Sequence, residues 1–133
     1  PIGTANGIRK ILDFFGENPF LVVNADIWTN YTFIDLLKHD LSNKLAHIIL
    51  VPKPIYHQGD FSLEDNHLIK GQDFTFTGIG LYTSELFRKY NHSDLGDILR
   101  EEKNISSSIF GGYWEDIGTP ERLENARSAY NSL

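Results

Sequence analysis

Apolar positions recur at helical spacing near the start of the chain. Ile8, Ile11, Leu12 and Phe15 share one face, Thr4 offers an N-cap and Gly16 a stop. Next comes Phe20-Leu21-Val22-Val23, an apolar, partly β-branched run that ends in Asn24-Ala25-Asp26. After a turn expected at Trp28-Thr29-Asn30, Phe33, Leu36, Leu37 and Leu41 mark a second amphipathic helix, which ends near Asn43. A further continuous run, residues 47–51, is stopped by Pro52 and Pro54. Runs without polar alternation suit strands covered on both faces, as in parallel sheets.

The second half changes period. Residues 61–63 and 68–69 alternate around Asp65-Asn66 and predict a β-hairpin. Residues 74–82 predict a longer strand with Gly78 and Gly80 inside it, a position where glycine marks a bulge or a close approach. Ser84 opens one short helix, through Phe87 and Tyr90, and Asp94 another, with Leu95, Ile98 and Leu99. Residues 105–117 are strand-like around Gly111-Gly112. Thr119-Pro120-Glu121 then sets a cap, a first-turn proline and an acid for a last helix, with Leu123, Ala126 and Ala129 inward. The order predicts an α/β fold with a predominantly parallel sheet and a β-rich insertion.

Composition narrows the function classes. At 133 residues the chain is long enough for one domain with its own core. With 41% hydrophobic residues it is not a disordered or fibrous chain. It has no cysteine, which excludes disulfides, thiolate metal centres and Cys nucleophiles. No apolar run approaches the ~20 residues of a membrane span, and no apolar leader precedes residue 10; a reducing, cytoplasmic setting is expected. The net charge is -6, with no Lys/Arg cluster, so nucleic acid is not an expected partner. An acidic chain binds a phosphorylated small molecule through a metal ion, helix N-termini or a few placed cations.

Two carboxylates carry the candidate chemistry. Asp26 follows a buried strand, where open α/β sheets bind ligands. It suits either a turn cap or a ligand of a hard cation such as Mg²⁺. Asp116 also ends a strand, before a helix start, and suits either a dipole-favoured N-terminal acid or a second metal ligand. Gly3-Thr4-Ala5-Asn6-Gly7 opens a helix whose free N–H groups can meet a flat ligand, or is an ordinary helix start. It is neither a dinucleotide fingerprint nor a P-loop. The five histidines are scattered without zinc spacing and suit solvated or simply hydrogen-bonded roles. No G-x-S-x-G elbow is present. Trp28 and Trp114 each neighbour a candidate aspartate, suiting core packing or stacking on a ligand.

Taken together, these stretches resemble the sugar-1-phosphate nucleotidyltransferases, above all their short bacterial N-acetylmuramate-1-phosphate uridylyltransferase-like subgroup. Four segments carry the likeness in family order: residues 2–7; Phe20 to Trp28; Gln58-Gly59-Asp60-Phe61 with Phe76-Thr77-Gly78-Ile79-Gly80-Leu81-Tyr82; and Tyr113 to Leu123. The resemblance implies a Rossmann-like three-layer α/β/α fold, with a mixed, mostly parallel sheet and a β-hairpin insertion for the sugar. It implies a nucleotide-binding core at 1–51 and 105–133 and a sugar-binding part at 52–104. It also implies residue roles: Gly3, Thr4 and Ala5 against the nucleotide; Asp26 and Asp116 as catalytic ligands of Mg²⁺; Gly59, Thr77 and Gly78 against the sugar. The substrates implied are an NTP, with UTP favoured, and a sugar 1-phosphate.

The sequence departs from the family in three places. Ala25 stands where the family has glycine. The Glu-Lys-Pro motif of larger members has no counterpart before Phe74. The first strand and its Gly-rich, Arg-ending loop are not matched, and Pro52-Lys53-Pro54 falls after Asp26, out of order for the family's phosphate-binding Pro-Lys-Pro. The likeness therefore covers about the last 60% of a short family member, within the ~100–200-residue range of domains. A missing first strand would leave a sheet edge unpaired, so a further N-terminal segment or a second copy is expected to complete the sheet. The alternative function is a non-catalytic sugar-nucleotide-binding or regulatory module. A metal-dependent glycosyltransferase would want Asp-x-Asp, and Asp26-Ile27-Trp28 lacks the second acid.

Overall fold

A computed structural model describes residues 4–118 together with Arg127 and Ser128. Helices α1 (Thr4–Arg9) and α2 (Leu12–Phe15) precede strand β1 (Phe20–Val23). Strand β2 (Ile27–Thr29), helix α3 (Phe33–Leu37) and strand β3 (Ala46–Pro52) follow. The hairpin β4 (Phe61–Glu64) and β5 (His67–Lys70) leads into β6 (Phe74–Tyr82). Helices α4 (Ser84–Lys89) and α5 (Leu95–Glu101) lead to β7 (Ile105–Ile109) and β8 (Trp114–Asp116).

The main sheet runs β5-β4-β6-β3-β7, with β1 also on β6. Strand β3 occupies one edge of β6, from Ala46↔Tyr82 to Pro52↔Phe74. The other edge is shared: β1 takes residues 79–82 and β4 takes Phe74. Between them, residues 75–78 of β6 are flanked by loops. Helices cover both faces. On one, Ala5, Ile8, Leu12, Leu86, Phe87, Ile98 and Leu99 pack on Phe20, Ile48, Leu50 and Tyr82. On the other, Leu36 of α3 packs on Ile49, Ile79 and Leu81, with Ile27 and Phe110 beside it. The three-layer α/β/α arrangement and the mixed sheet are as expected.

The predominantly parallel sheet is corrected. Strands β1, β3 and β7 do run in one direction, but β6 is reversed between β1 and β3. The only parallel pairing among the described strands is β3 with β7. A run of apolar residues records burial on two faces and carries no information about strand direction.

Local expectations differ in three more places. The first helix breaks at Lys10 and Ile11, so Ile11 turns outward and is half exposed, while Gly16 does terminate α2 at φ 60°. Trp28 and Thr29 form a strand, not a turn. The single strand expected over 105–117 is two strands, separated at Phe110 to Tyr113. The hairpin turn at Asp65-Asn66 is as expected, both residues having positive φ (50° and 66°), as a type I′ turn requires. The helix expected after Thr119 falls largely outside the described residues. Among the described residues, β1 pairs with β6 alone, and no helix is long and apolar enough to cross a membrane.

Candidate active site

The site is built where β1 runs out. Asn24 continues the β1–β6 ladder by one bond, its N–H donating to the Gly78 carbonyl at 3.0 Å. Ala25 and Asp26 then turn the chain into β2. Strand β2 pairs antiparallel with β8, placing Ile27 opposite Asp116. The ribbon is closed at this end by the Ile117 N–H on the Asp26 carbonyl, at 2.9 Å. The two candidate aspartates, 90 positions apart, thereby become neighbours.

Their carboxylates meet over Gly118. A methyl group built on its Cα would lie 3.0 Å from Asp26 Oδ2 and 3.1 Å from Asp116 Oδ1. The Gly118 N–H also donates to Asp116 Oδ1 at 2.8 Å, fixing that side chain's rotamer. Two carboxylates with oxygens converging on one point suit a hard divalent cation such as Mg²⁺. No group of three His, Cys, Asp or Glu residues that could hold a metal occurs among the described residues.

Asp26 also lines a cleft of about 300 Å³ with Thr4, Val22, Val23, Asn24 and Ala25. Thr4 and Asp26 were expected to share a nucleotide site, and the fold brings them to one cleft. Ala25 lies in its wall, where its methyl group occupies space that glycine would leave open. Ala5 is placed differently. Its side chain is fully buried in the core and its N–H donates to the Ser93 carbonyl at 3.1 Å. Gly3 lies outside the described residues.

The ribbon is tied to β6 by Trp114, whose indole N–H donates to the Thr77 carbonyl at 2.9 Å. Thr77 itself is fully buried. Its hydroxyl donates to the Ile49 carbonyl at 2.7 Å and accepts from the Ile79 N–H at 3.1 Å. Both hydrogen-bonding roles of that hydroxyl are thus committed to backbone. At Gly78 (φ 82°) an added Cβ would lie 2.5 Å from the Asn24 amide nitrogen. At Gly59 (φ 83°) it would collide with the Gln72 carbonyl. The room left by these two glycines is therefore filled by Asn24 and Gln72.

The β3–β4 loop reaches Asp116 through Tyr56. Asp60 fastens it to β6: its N–H donates to the Phe74 carbonyl at 2.7 Å and its Oδ2 accepts from the Phe76 N–H at 2.8 Å. Tyr56 reaches across so that its hydroxyl accepts from the Asp116 N–H at 3.4 Å. His57 Nδ1 takes the Gly59 N–H at 2.8 Å and lies 3.0 Å from Thr75 Oγ1. Sequence reasoning missed both Tyr56 and His57. No spacing rule marks them, because they meet the site through loop geometry.

No family model matches the chain. It is 34% identical over 94% of its length to N-acetylmuramate alpha-1-phosphate uridylyltransferase of Neisseria meningitidis, and spans 61% of that protein. The mannose-1-phosphate guanylyltransferase catalytic subunit beta of Danio rerio is 23% identical over 91% of the chain, which spans 39% of it. Among solved structures, a Bacillus anthracis protein described as a glucose-1-phosphate thymidylyltransferase superposes with a TM-score of 0.81 at 19% identity, over 98% of this chain and 62% of that one. HddC of Yersinia pseudotuberculosis, solved in complex with GMP-PN, gives a TM-score of 0.73 at 18% identity, over 98% of this chain and 63% of that one. The chain thus spans less than two thirds of the length of these relatives. Over nearly its whole length the chain is similar in sequence to N-acetylmuramate alpha-1-phosphate uridylyltransferase, and its fold matches those two solved structures.

Proposed function

We propose that the protein joins an NTP to a sugar 1-phosphate and releases pyrophosphate, with UTP as the preferred nucleotide. The observation that carries this is the convergence of Asp26, which lines the cleft with Thr4, and Asp116 on the space beside Gly118. The UTP preference rests on likeness to the Neisseria uridylyltransferase. In the reaction an oxygen of the sugar phosphate bonds to the α-phosphorus of the NTP, and the bond from that phosphorus to the bridging oxygen of pyrophosphate breaks. No side-chain nucleophile is required, so the protein's tasks are positioning and charge stabilisation. Asp26 and Asp116 would hold Mg²⁺, which supplies positive charge between two phosphorylated anions. Gly118 keeps the space between the carboxylates open, and the Gly118 N–H orients Asp116. Thr4, preceded by Gly3, borders the nucleotide. Gly59, Thr77 and Gly78 act indirectly: Gly59 leaves room for the Gln72 carbonyl, Thr77 is tied to the Ile49 carbonyl, and Gly78 leaves room for Asn24.

A further segment of the protein or a second copy is part of this reading. The outer edge of β1 has no partner among the described strands, and large apolar side chains stand exposed on the helices of both faces: Phe14 at 89% on α2 and Ile34 at 60% on α3. An unpaired edge flanked by apolar surface favours strand addition. A stable 15 kDa monomer, by size exclusion with intact mass, would remove this part of the reading.

The test is a pyrophosphate-release assay with four NTPs against a panel of sugar 1-phosphates, with Mg²⁺ and with EDTA. Turnover with at least one pair, lost in EDTA and in Asp26→Asn and Asp116→Asn, is the expected result. Binding of a nucleotide sugar without turnover in any pair would favour the binding-module alternative.

A further inference from the structure

We propose that His57 binds the acceptor sugar 1-phosphate, as a hydrogen-bond donor whose tautomer is fixed by the β3–β4 loop. This rests on the transferase reading and assigns a residue to its acceptor side. The argument starts from the backbone. An N–H group can only donate, so the Gly59 N–H at 2.8 Å obliges His57 Nδ1 to accept. The Thr75 hydroxyl lies 3.0 Å from the same nitrogen, and a ring that accepts at Nδ1 carries its proton on Nε2. Thr75 is buried, so that hydroxyl is not free to turn to solvent. Gly59 is held at φ 83° against Gln72, a conformation only glycine takes without strain, and this places its N–H on His57. Gly59 and Thr75, with Gln72 behind Gly59, thus orient one imidazole. No described residue accepts from its Nε2–H, although the ring is half-buried. A donor fixed on one side and unused on the other is a recognition element, by the same logic that orients a metal-binding histidine through its second nitrogen.

Its place in the fold selects the acceptor over the nucleotide. Along β6, the Thr4–Asp26 cleft lies beside residues 78–80, through Asn24, Val23 and Val22. Trp114 is tied to Thr77, and His57 to Thr75. At about 3.3 Å per residue, His57 stands roughly 10 Å farther along the strand than Gly78. Its neighbour Tyr56 touches the Asp116 backbone. A second substrate meeting a nucleotide at the carboxylates therefore extends toward the imidazole. Its oxygens, on the ring or its substituents, are the acceptors that a neutral N–H recognises.

The experiment compares wild type, His57→Ala and His57→Gln in the pyrophosphate-release assay. Loss of one such bond corresponds to about a tenfold rise in KM for the sugar 1-phosphate. The KM for NTP should stay within twofold, kcat should fall less than threefold, and Gln, which keeps a donor, should recover part of the loss. Equal KM values throughout, or equal rises for both substrates, would overturn the proposal. A second readout needs no variant and no turnover. In ¹⁵N-histidine-labelled wild type, long-range ¹H–¹⁵N spectra should show the His57 proton on Nε2. Titration with N-acetylglucosamine 1-phosphate, glucose 1-phosphate and mannose 1-phosphate should move that resonance for at least one of them. A proton on Nδ1, or an Nε2 signal unmoved by all three, would refute it. If the signal moves while no NTP supports turnover, the transferase reading fails and His57 is left as a sugar-phosphate contact without an acceptor role.

Discussion

Asp26 and Asp116 face one another across the end of the β2–β8 ribbon, and what separates their carboxylates is the missing side chain of Gly118. Gly118→Ala would push a methyl group to 3.0 and 3.1 Å from the two oxygens, so one or both carboxylates must move. The contact asks them to give by a few tenths of an ångström, a fraction of the 1 Å misplacement that costs on the order of a hundredfold in rate. The expected result is a loss of roughly two- to tenfold in kcat, with a melting temperature close to that of wild type, since the residue is exposed. Steady-state kinetics and thermal melts on the same preparation check both halves.

Gly78→Ala should act on stability instead. The residue sits at φ 82° and an added Cβ would lie 2.5 Å from the Asn24 side chain. A non-glycine residue held there costs about 1–3 kcal/mol, before any displacement of Asn24. Urea denaturation should show a lower midpoint. An Asn24→Ala background removes the two nearest contacts, at 2.5 and 2.7 Å, but keeps the Asn24 Cβ at 2.9 Å and the dihedral strain, so it should recover only part of the loss.

The buried His47 makes stability depend on pH. Its ring nitrogens contact Ser106 Oγ at 2.6 Å and Ser108 Oγ at 2.7 Å, and the ring stacks on His39 at 3.8 Å. Burial, reinforced by the neighbouring His39, lowers its pKa from 6.5 to about 4. Between these values the unfolded chain takes up a proton that the folded chain refuses, so stability falls as pH falls. The contribution is intact above about pH 6.5 and erodes toward pH 4, by about 3 kcal/mol in total. Urea midpoints measured from pH 7.5 to pH 4 should show this slope, and it should flatten in His47→Gln.

Glu102 behaves in the opposite sense. Burial works to raise its pKa, but bonds from Lys89 at 2.6 Å, the Asn104 N–H at 2.9 Å and Tyr90 at 2.8 Å outweigh it, and the pKa is lowered from 4.5. Its stabilisation is therefore present above about pH 4.5 and lost as the pH drops through the folded value. Glu102→Gln should cost about 1–3 kcal/mol at pH 7, because three donors lose a charged acceptor that is itself buried. Chemical denaturation at pH 7 against pH 3.5 should show the gap between variant and wild type closing.

The sequence carried the elements better than their arrangement. Strands β1, β3 and β6 were legible because their apolar runs are continuous, and the Asp65-Asn66 turn because its chemistry is specific. The ribbon of β2 and β8 was not legible: three residues are too few to display a period, and Trp28-Thr29-Asn30 sits among turn-forming residues. Asp26 and Asp116 could be paired only through family likeness, since strand ends alone do not say which ends meet. Ala5, Gly59, Thr77 and Gly78 were legible as special positions, but the partners they admit are Ser93, Gln72, Ile49 and Asn24, residues far away in the chain. His57 left no trace among five scattered histidines because its role follows from one backbone N–H.

Strand β6 spans the parts assigned to nucleotide and sugar, with β1 and β4 on one side and β3 along the other. Among the described residues, such a shared beam puts no break in the sheet between the two halves. Closure over bound reactants then falls, within those residues, to the segments that flank residues 75–78, chiefly the one bearing Tyr56 and His57.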